Sequence, residues 1–220
     1  MAADSRLSLD ITKNNGQQIV QHLSLTHSDS VYKLFLAPNG VGISTCGAAD
    51  IKGVPISGYV ETFISEKINK QTKVDQTGIE LLKYFKNFSP VPKTIFHVAG
   101  YQDKEQHIYN VDVEQDKCDR INPPYDQGMS WSGDTEVIFR VIKEAKVFNN
   151  GVLISSFPET AIPYQFFTLQ DAIDMCVSLI RITIDMIKFQ TRPKTVGGPI
   201  DVLVIKPSES IWVQRKQLHA

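Results

Sequence analysis

The sequence predicts an α+β fold, with helices stacked on the faces of antiparallel sheets. Three observations predict it. Asn39-Gly40 joins two runs rich in β-branched and aromatic residues, which is the signature of a tight hairpin. Four segments carry apolar residues at helical spacing, in two pairs. Strand-like alternation comes before, between and after those pairs, and layers of helix on sheet are the way such an order buries its apolar faces.

In chain order, Leu7-Ser8-Leu9 begins strand-like alternation close to the first residue. The hairpin "SVYKLFLAPNGVGISTCGAAD" follows, with Gly47, Ala48 and Ala49 small enough for close packing where the chain leaves the sheet. "VPISGYVETFISEKIN" puts Ile56, Tyr59, Val60, Phe63, Ile64 and Ile68 on one helical stripe. "VDQTGIELLKYFKNF" does so with Ile79, Leu82 and Phe85, and Ser89-Pro90 ends it. "KTIFHVAGY" and "QHIYNVDVE" read as two strands around the polar turn Gln102 to Glu105, and a third short strand is expected near Cys118 to Ile121. "GMSWSGDTEVIFRVI" reads as a strand, a pivot at Gly133 and a short helix with Asp134 as N-cap. The stretch 148–167 reads as a long apolar loop that packs on the body or on a neighbour. "TLQDAIDMCVSLIRITIDMIKF" is a long helix with a capping box at Thr168 and Asp171. Two last strands flank Pro207-Ser208-Glu209.

Bulk properties bound the function. A chain of 220 residues, 42% hydrophobic and 21% charged, is long enough for one sizeable core, and a single domain over 1–220 is expected. The net charge of −1, from 23 basic and 24 acidic residues interspersed, gives no reason to expect a nucleic acid or an anionic membrane surface as partner. Cys46, Cys118 and Cys176 are widely spaced and odd in number, which suggests neither a disulfide framework nor a zinc site. With no basic region followed by an apolar run at the N-terminus, a cytoplasmic protein is expected. The apolar stretch 172–189 is interrupted by Asp174, Arg181, Asp185 and Lys188, so it reads as an amphipathic helix rather than a membrane span.

Four segments then suggest a family. "MAADSRLSL", "YKLFLAPNGVGISTCGAAD", "SWSGDTEVI" and "TVGGPIDVLVI" resemble, in that order, landmarks of proteasome-type N-terminal-nucleophile hydrolases, over nearly the whole chain. The resemblance implies a four-layer αββα sandwich and a peptidase or amidase acting on a peptide or amide by acyl transfer. It also implies homo-oligomerisation into a ring or helical assembly, with no cofactor and no metal. Carried over residue by residue, Asp4 and Arg6 match the acid and base of the opening strand. Lys33 matches the active-site lysine, and Gly47 the turn whose N–H serves an oxyanion hole. Ser132 matches the serine beside the free amine.

The chemistry is coherent, because an N-terminal Thr, Ser or Cys uses its own α-amino group, with an ordinary pKa of about 7.7–8.0, as general base. The sequence departs from the pattern in three places. The strand that carries the nucleophile is not seen before "AADSR". Val196, or Thr195 one position off, stands where a serine is expected, without its acid. Trp131-Ser132-Gly133 replaces Gly-Ser-Gly. The expectation is that the natural chain extends upstream by about one strand and a turn, on the order of 10–17 residues. The alternative is a non-catalytic scaffolding relative.

Each site residue also has a plainer reading. Lys33 could face solvent from an alternating strand, and Asp4 and Arg6, two apart on one strand face, could form a structural ion pair. Gly47, Gly197 and Gly198 could serve only turns and close approaches. Thr45 and Cys46 read as core. His97 and His107, on neighbouring strands, could face each other, but no third ligand can be placed for a metal. Trp131 and Trp212 read as core or interface aromatics.

Overall fold

The computed structural model describes residues 1–15, 18–124 and 126–218, with residues 9–15 and 18–27 described as backbone. It is a mixed α+β structure of several small sheets and four α-helices among the described residues. In order, these are β1 (Ala2–Ala3), β2 (Leu7–Asn15), β3 (Gln18–Ser28), β4 (Leu34–Leu36), β5 (Gly42–Gly47), β6 (Asp50–Ile51), β7 (Val54–Pro55), α1 (Ile56–Lys67) and α2 (Val74–Lys86). Then follow β8 (Thr94–Gln102), β9 (Glu105–Asp112), β10 (Lys117–Arg120), α3 (Glu136–Ile142), β11 (Ala145–Asn149), β12 (Val152–Phe157), α4 (Leu169–Lys188), β13 (Asp201–Ile205) and β14 (Ser210–Gln214).

The central element is a five-stranded antiparallel sheet in the order β10-β9-β8-β5-β4. The Asn39-Gly40 turn forms as the sequence predicts. Leu36 pairs with Gly42, the Ala37 N–H donates to the Val41 carbonyl, and Gly40 takes φ +80°, where a side chain would be strained. One face of the sheet packs on α1 and α2. Val60 and Phe63 of α1, and Leu81 and Phe85 of α2, are fully buried against Ile43, Phe96, Val98 and Val111. The Phe85 and Phe96 rings lie 4.8 Å apart between centroids. Burying such side chains stabilises the fold by about 1.5–3 kcal/mol each, so truncating Phe85 would cost about 3–5 kcal/mol.

The stripe of α2 is rotated from the predicted one. Ile79 is 44% exposed, and the buried positions are Val74, Thr77, Gly78, Leu81 and Phe85. Small Thr77 and Gly78 face the sheet because they let the helix sit close; a Cβ on Gly78 would lie 2.9 Å from the Cys118 sulfur. Local hydrophobicity favoured Ile79, and close packing overruled it.

On the other side of the five-stranded sheet lies a three-stranded sheet, β1-β13-β14, with Leu203 and Ile205 of β13 against Gly42. Helix α4 packs on β1 and α3 on α4, around Ile138, Ile142 and Leu179. The capping box of α4 forms as expected: Asp171 N–H donates to Thr168 Oγ1 at 3.2 Å, and Thr168 N–H to Asp171 Oδ2 at 2.8 Å. Deeper in this region Asp201 is fully buried, and it accepts hydrogen bonds from the ammonium and the backbone N–H of Lys216.

Two expectations need correction. Residues 128–132 form no strand, and the N-cap position of α3 is Thr135; the Asp134 carboxylate, one residue earlier, accepts from the Glu136 N–H that opens α3 and also from Arg192 and Thr195. The stretch 148–167 is not one long loop: its first half belongs to the hairpin β11–β12, whose apolar side chains are exposed, while its second half does pack on the body, with Ile162 against the α3–α4 core and the Thr160 N–H on the Ile142 carbonyl. The alternation that starts at Leu7 does form a strand, β2, which pairs antiparallel with β3. The Leu9 side chain lies outside the described residues.

Candidate functional site

The site is built where β1 ends. Ala2 and Ala3 pair with Val202 and Asp201, and the chain then turns out of the sheet. Ser5 pins that turn: its N–H donates to the Gly197 carbonyl at 2.9 Å, and its hydroxyl to the Pro199 carbonyl at 2.6 Å. The turn presents Asp4 to Lys33, which immediately precedes β4 and is anchored by the Thr45 N–H on its carbonyl.

Asp4 Oδ1 lies 2.8 Å from Lys33 Nζ, and both side chains are largely buried. The second oxygen, Oδ2, accepts from the N–H groups of Arg6 at 3.1 Å and Gly197 at 3.0 Å. Lys33 therefore does not point freely into solvent. Asp4 and Arg6 are not partners as an ion pair either. The Arg6 guanidinium forms a bidentate pair with Asp29, Nε to Oδ1 at 2.6 Å and Nη2 to Oδ2 at 2.7 Å, and a further donor reaches the Lys194 carbonyl. The guanidinium hydrogen bonds hold the Asp29 carboxyl below its usual range.

Asp4, Arg6, Lys33, Gly47 and Ser132, the five residues singled out from sequence, all line one cavity of about 740 Å³. Its floor is the face of the five-stranded sheet that α1 and α2 leave free. Ser44 pairs with His97, Cys46 with Ile95 and Gly42 with Ala99, so these residues alternate with the buried Ile43, Thr45, Phe96 and Val98. Helix α4 closes part of the other side with Cys176, Leu179 and Thr183.

Gly47 takes φ +100°, and a Cβ there would lie 2.4 Å from the Lys93 carbonyl oxygen. That carbonyl accepts the Ala48 N–H at 2.9 Å. Glycine is thus required by the turn and by close approach, whatever else its N–H does. Ser132 lies near Cys46, whose thiol is pushed up from its ordinary pKa by burial, against smaller opposing effects of the Ser132 hydrogen bond and the Lys33 charge. Thr45 is core, as expected, and its hydroxyl lies 3.3 Å from that of Thr94. Cys46 is half-buried, its flank open to the cavity.

A second polar cluster on the rim has no counterpart in the sequence reading. Asp134 accepts from Thr195 Oγ1 and from both terminal nitrogens of Arg192. Burial would raise its pKa, but these hydrogen bonds and the Arg192 charge prevail and hold it below the ordinary carboxylate range. The Ser/Thr-to-acid pairing across 61 residues left no local signal, since Asp134 sits where an N-cap would.

His97 and His107 do not face each other. His97 pairs with Asn110, and His107 pairs with Gly100, three residues further along β8, so the two rings project to opposite faces. Nε2 of His97 lies 3.1 Å from the Ser130 hydroxyl, and burial lowers its pKa. His107 stacks on Tyr109 beside Glu105. Trp131 packs edge-on against Phe139 and the α3–α4 core, and Trp212 lies under the Arg215 guanidinium. Among the described residues no three His, Cys, Asp or Glu side chains are grouped to hold a metal ion, and no helix is long and apolar enough to cross a membrane. In comparison with known proteins, no protein-family model matches the chain and no curated protein is detectably similar to it in sequence.

Proposed function

We propose that this chain carries an amide-hydrolysing site of the N-terminal-nucleophile type, a peptidase or amidase working by acyl transfer on a four-layer αββα sandwich. The observation that supports it is the Asp4–Lys33 pair on the wall of a cavity that also contains Gly47 and Ser132. In this reading the nucleophile is the side chain of an N-terminal Thr, Ser or Cys on a segment preceding Met1 in the natural chain. Lys33, fixed by Asp4, stabilises the negative charge that develops on the attacking atom. The free α-amine takes its proton, backbone N–H groups hold the oxyanion, and water then releases the acyl group. Asp4 acts as a positioning residue, because its second oxygen is occupied by two backbone N–H groups and leaves the first for Lys33.

A second reading, a non-catalytic scaffold on the same fold, is favoured by one observation. Cys46, a thiol of the cavity lining that feels the Lys33 charge, is nevertheless pushed toward its neutral form by burial.

The test is intact-mass analysis and N-terminal sequencing of the protein from its native source, together with turnover of fluorogenic peptides and simple amides. An N-terminal Thr, Ser or Cys supports the hydrolase reading if Lys33→Ala also slows turnover by roughly 100-fold or more, the order of effect of one lost electrostatic stabiliser. A mature chain beginning at Ala2, or turnover indifferent to Lys33→Ala, sinks it and leaves the scaffold.

A further inference from the structure

Ser130 lies in the irregular stretch between β10 and α3, and its two neighbours anchor it. Met129 and Trp131 pack against the α3–α4 core of Ile138, Ile142 and Leu179, while Ser130 between them is exposed. Its hydroxyl reaches Nε2 of His97 at 3.1 Å. His97 stands inside the five-stranded sheet, paired with Ser44 of β5 on one side and Asn110 of β9 on the other. A serine fixed by its neighbours and a histidine fixed from both edges of its strand thus meet in the cavity that both line.

We propose that Ser130 and His97 are a nucleophile and its general base, an esterase-type site that takes carboxylic esters with an apolar acyl group. Three observations carry it. The separation of Oγ and Nε2 is one at which a base can take the hydroxyl proton, and with the ring proton on Nδ1 the Nε2 lone pair accepts from the hydroxyl. Burial lowers the pKa of the ring and no charge acts on it, so the imidazole is neutral near neutral pH and able to accept a proton. The wall beside the pair is apolar: Ala99 follows His97 on the same strand face, Ile108 is its partner on β9, and Met129 and Trp131 flank the serine.

The pair has no carboxylate on the ring, so it lacks the third member of a triad. Such an imidazole is a weak catalyst, which suits an ester better than an amide. In the step, Oγ bonds to the acyl carbon, its proton passes to Nε2, the bond to the alcohol oxygen breaks and Nε2 returns the proton to the departing alkoxide. Water then gives a proton to Nε2 and adds to the acyl carbon; the bond to Oγ breaks, and Oγ takes that proton back. The N–H groups of Ser130 and Trp131 donate to no other group among the described residues, and they are the donors at hand for the oxyanion. The inference does not rest on the N-terminal-nucleophile reading, since the attacking atom belongs to Ser130.

The experiment treats the full chain with an alkyl fluorophosphonate at neutral pH and locates the adduct by peptide mass spectrometry. Phosphorus bonds to Oγ, fluoride leaves and His97 takes the proton. The expected result is an adduct on Ser130 and a burst of nitrophenol from p-nitrophenyl butyrate. Ser130→Ala should abolish both, and His97→Gln should slow labelling by roughly 100-fold or more. Ser130→Cys leaves the sheet untouched and guards against a misfolded His97 variant. Its thiol should react with iodoacetamide at neutral pH, well before Cys46 does, because His97 takes its proton. No adduct, or labelling at Ser130 that His97→Gln does not slow, overturns the proposal, and so does a new thiol no faster than an ordinary one. An adduct on an N-terminal Thr, Ser or Cys instead overturns it while supporting the amide-hydrolysing reading, so the two fail separately.

Discussion

Asp4 and Lys33, 29 positions apart in the chain, meet at 2.8 Å through a carboxylate whose other oxygen is already held by two backbone N–H groups. The pair is therefore asymmetric. Asp4→Ala leaves three donors without their acceptor in a largely buried place and should cost about 2–4 kcal/mol. Lys33→Ala leaves the carboxylate with two of its three donors and should cost about 1 kcal/mol. Urea unfolding of the two variants distinguishes the costs, and equal losses would mean that the backbone bonds to Asp4 contribute nothing.

Gly47 and Gly58 should respond in opposite directions to alanine. At Gly47 the new methyl meets the Lys93 carbonyl oxygen at 2.4 Å with φ at +100°, so Gly47→Ala should destabilise by about 2–4 kcal/mol. Gly58 lies inside α1 with nothing within 4 Å of an added Cβ, so Gly58→Ala should stabilise by about 0.5–1 kcal/mol. Melting curves of both variants check the contrast.

Cys46 should react slowly despite lining the cavity. Burial raises its pKa, and the Lys33 charge acts the other way. Alkylation by iodoacetamide, followed by mass spectrometry, should rise steeply only above about pH 9, because the thiolate is the reactive form. In Lys33→Ala the onset should move higher still. An onset near neutral pH would contradict the burial argument and mark Cys46 as an activated thiol.

The His97 ring gives stability a pH dependence of definite sign. Burial lowers its folded pKa below the ordinary value of 6.5, so between the two values the unfolded chain binds more protons. Stability should be level above about pH 7 and fall as pH drops through the ordinary histidine range. The fall ends at the folded pKa. In His97→Gln that part of the profile should flatten, while the loss below about pH 4 that comes from Asp29 and Asp134 persists. A profile unchanged by His97→Gln would show that the ring titrates alike in both states.

What the sequence determined by itself was local. Asn39-Gly40, the capping box at Thr168, the helical stripe through Val60 and Phe63, and the β8–β9 alternation each depend on residues a few positions apart, and backbone sterics and periodicity suffice to place them. The convergence of Asp4, Arg6, Lys33, Gly47 and Ser132 on one cavity was legible only through the order of four short segments.

The partnerships were decided by tertiary structure. Arg6 takes Asp29 rather than Asp4, Asp134 takes Arg192 and Thr195 besides the first N–H of α3, and Ile79 turns outward so that Gly78 can approach Cys118. Such choices depend on distances between segments remote in the chain and on which charge is desolvated beside which. No spacing along a single segment encodes those quantities.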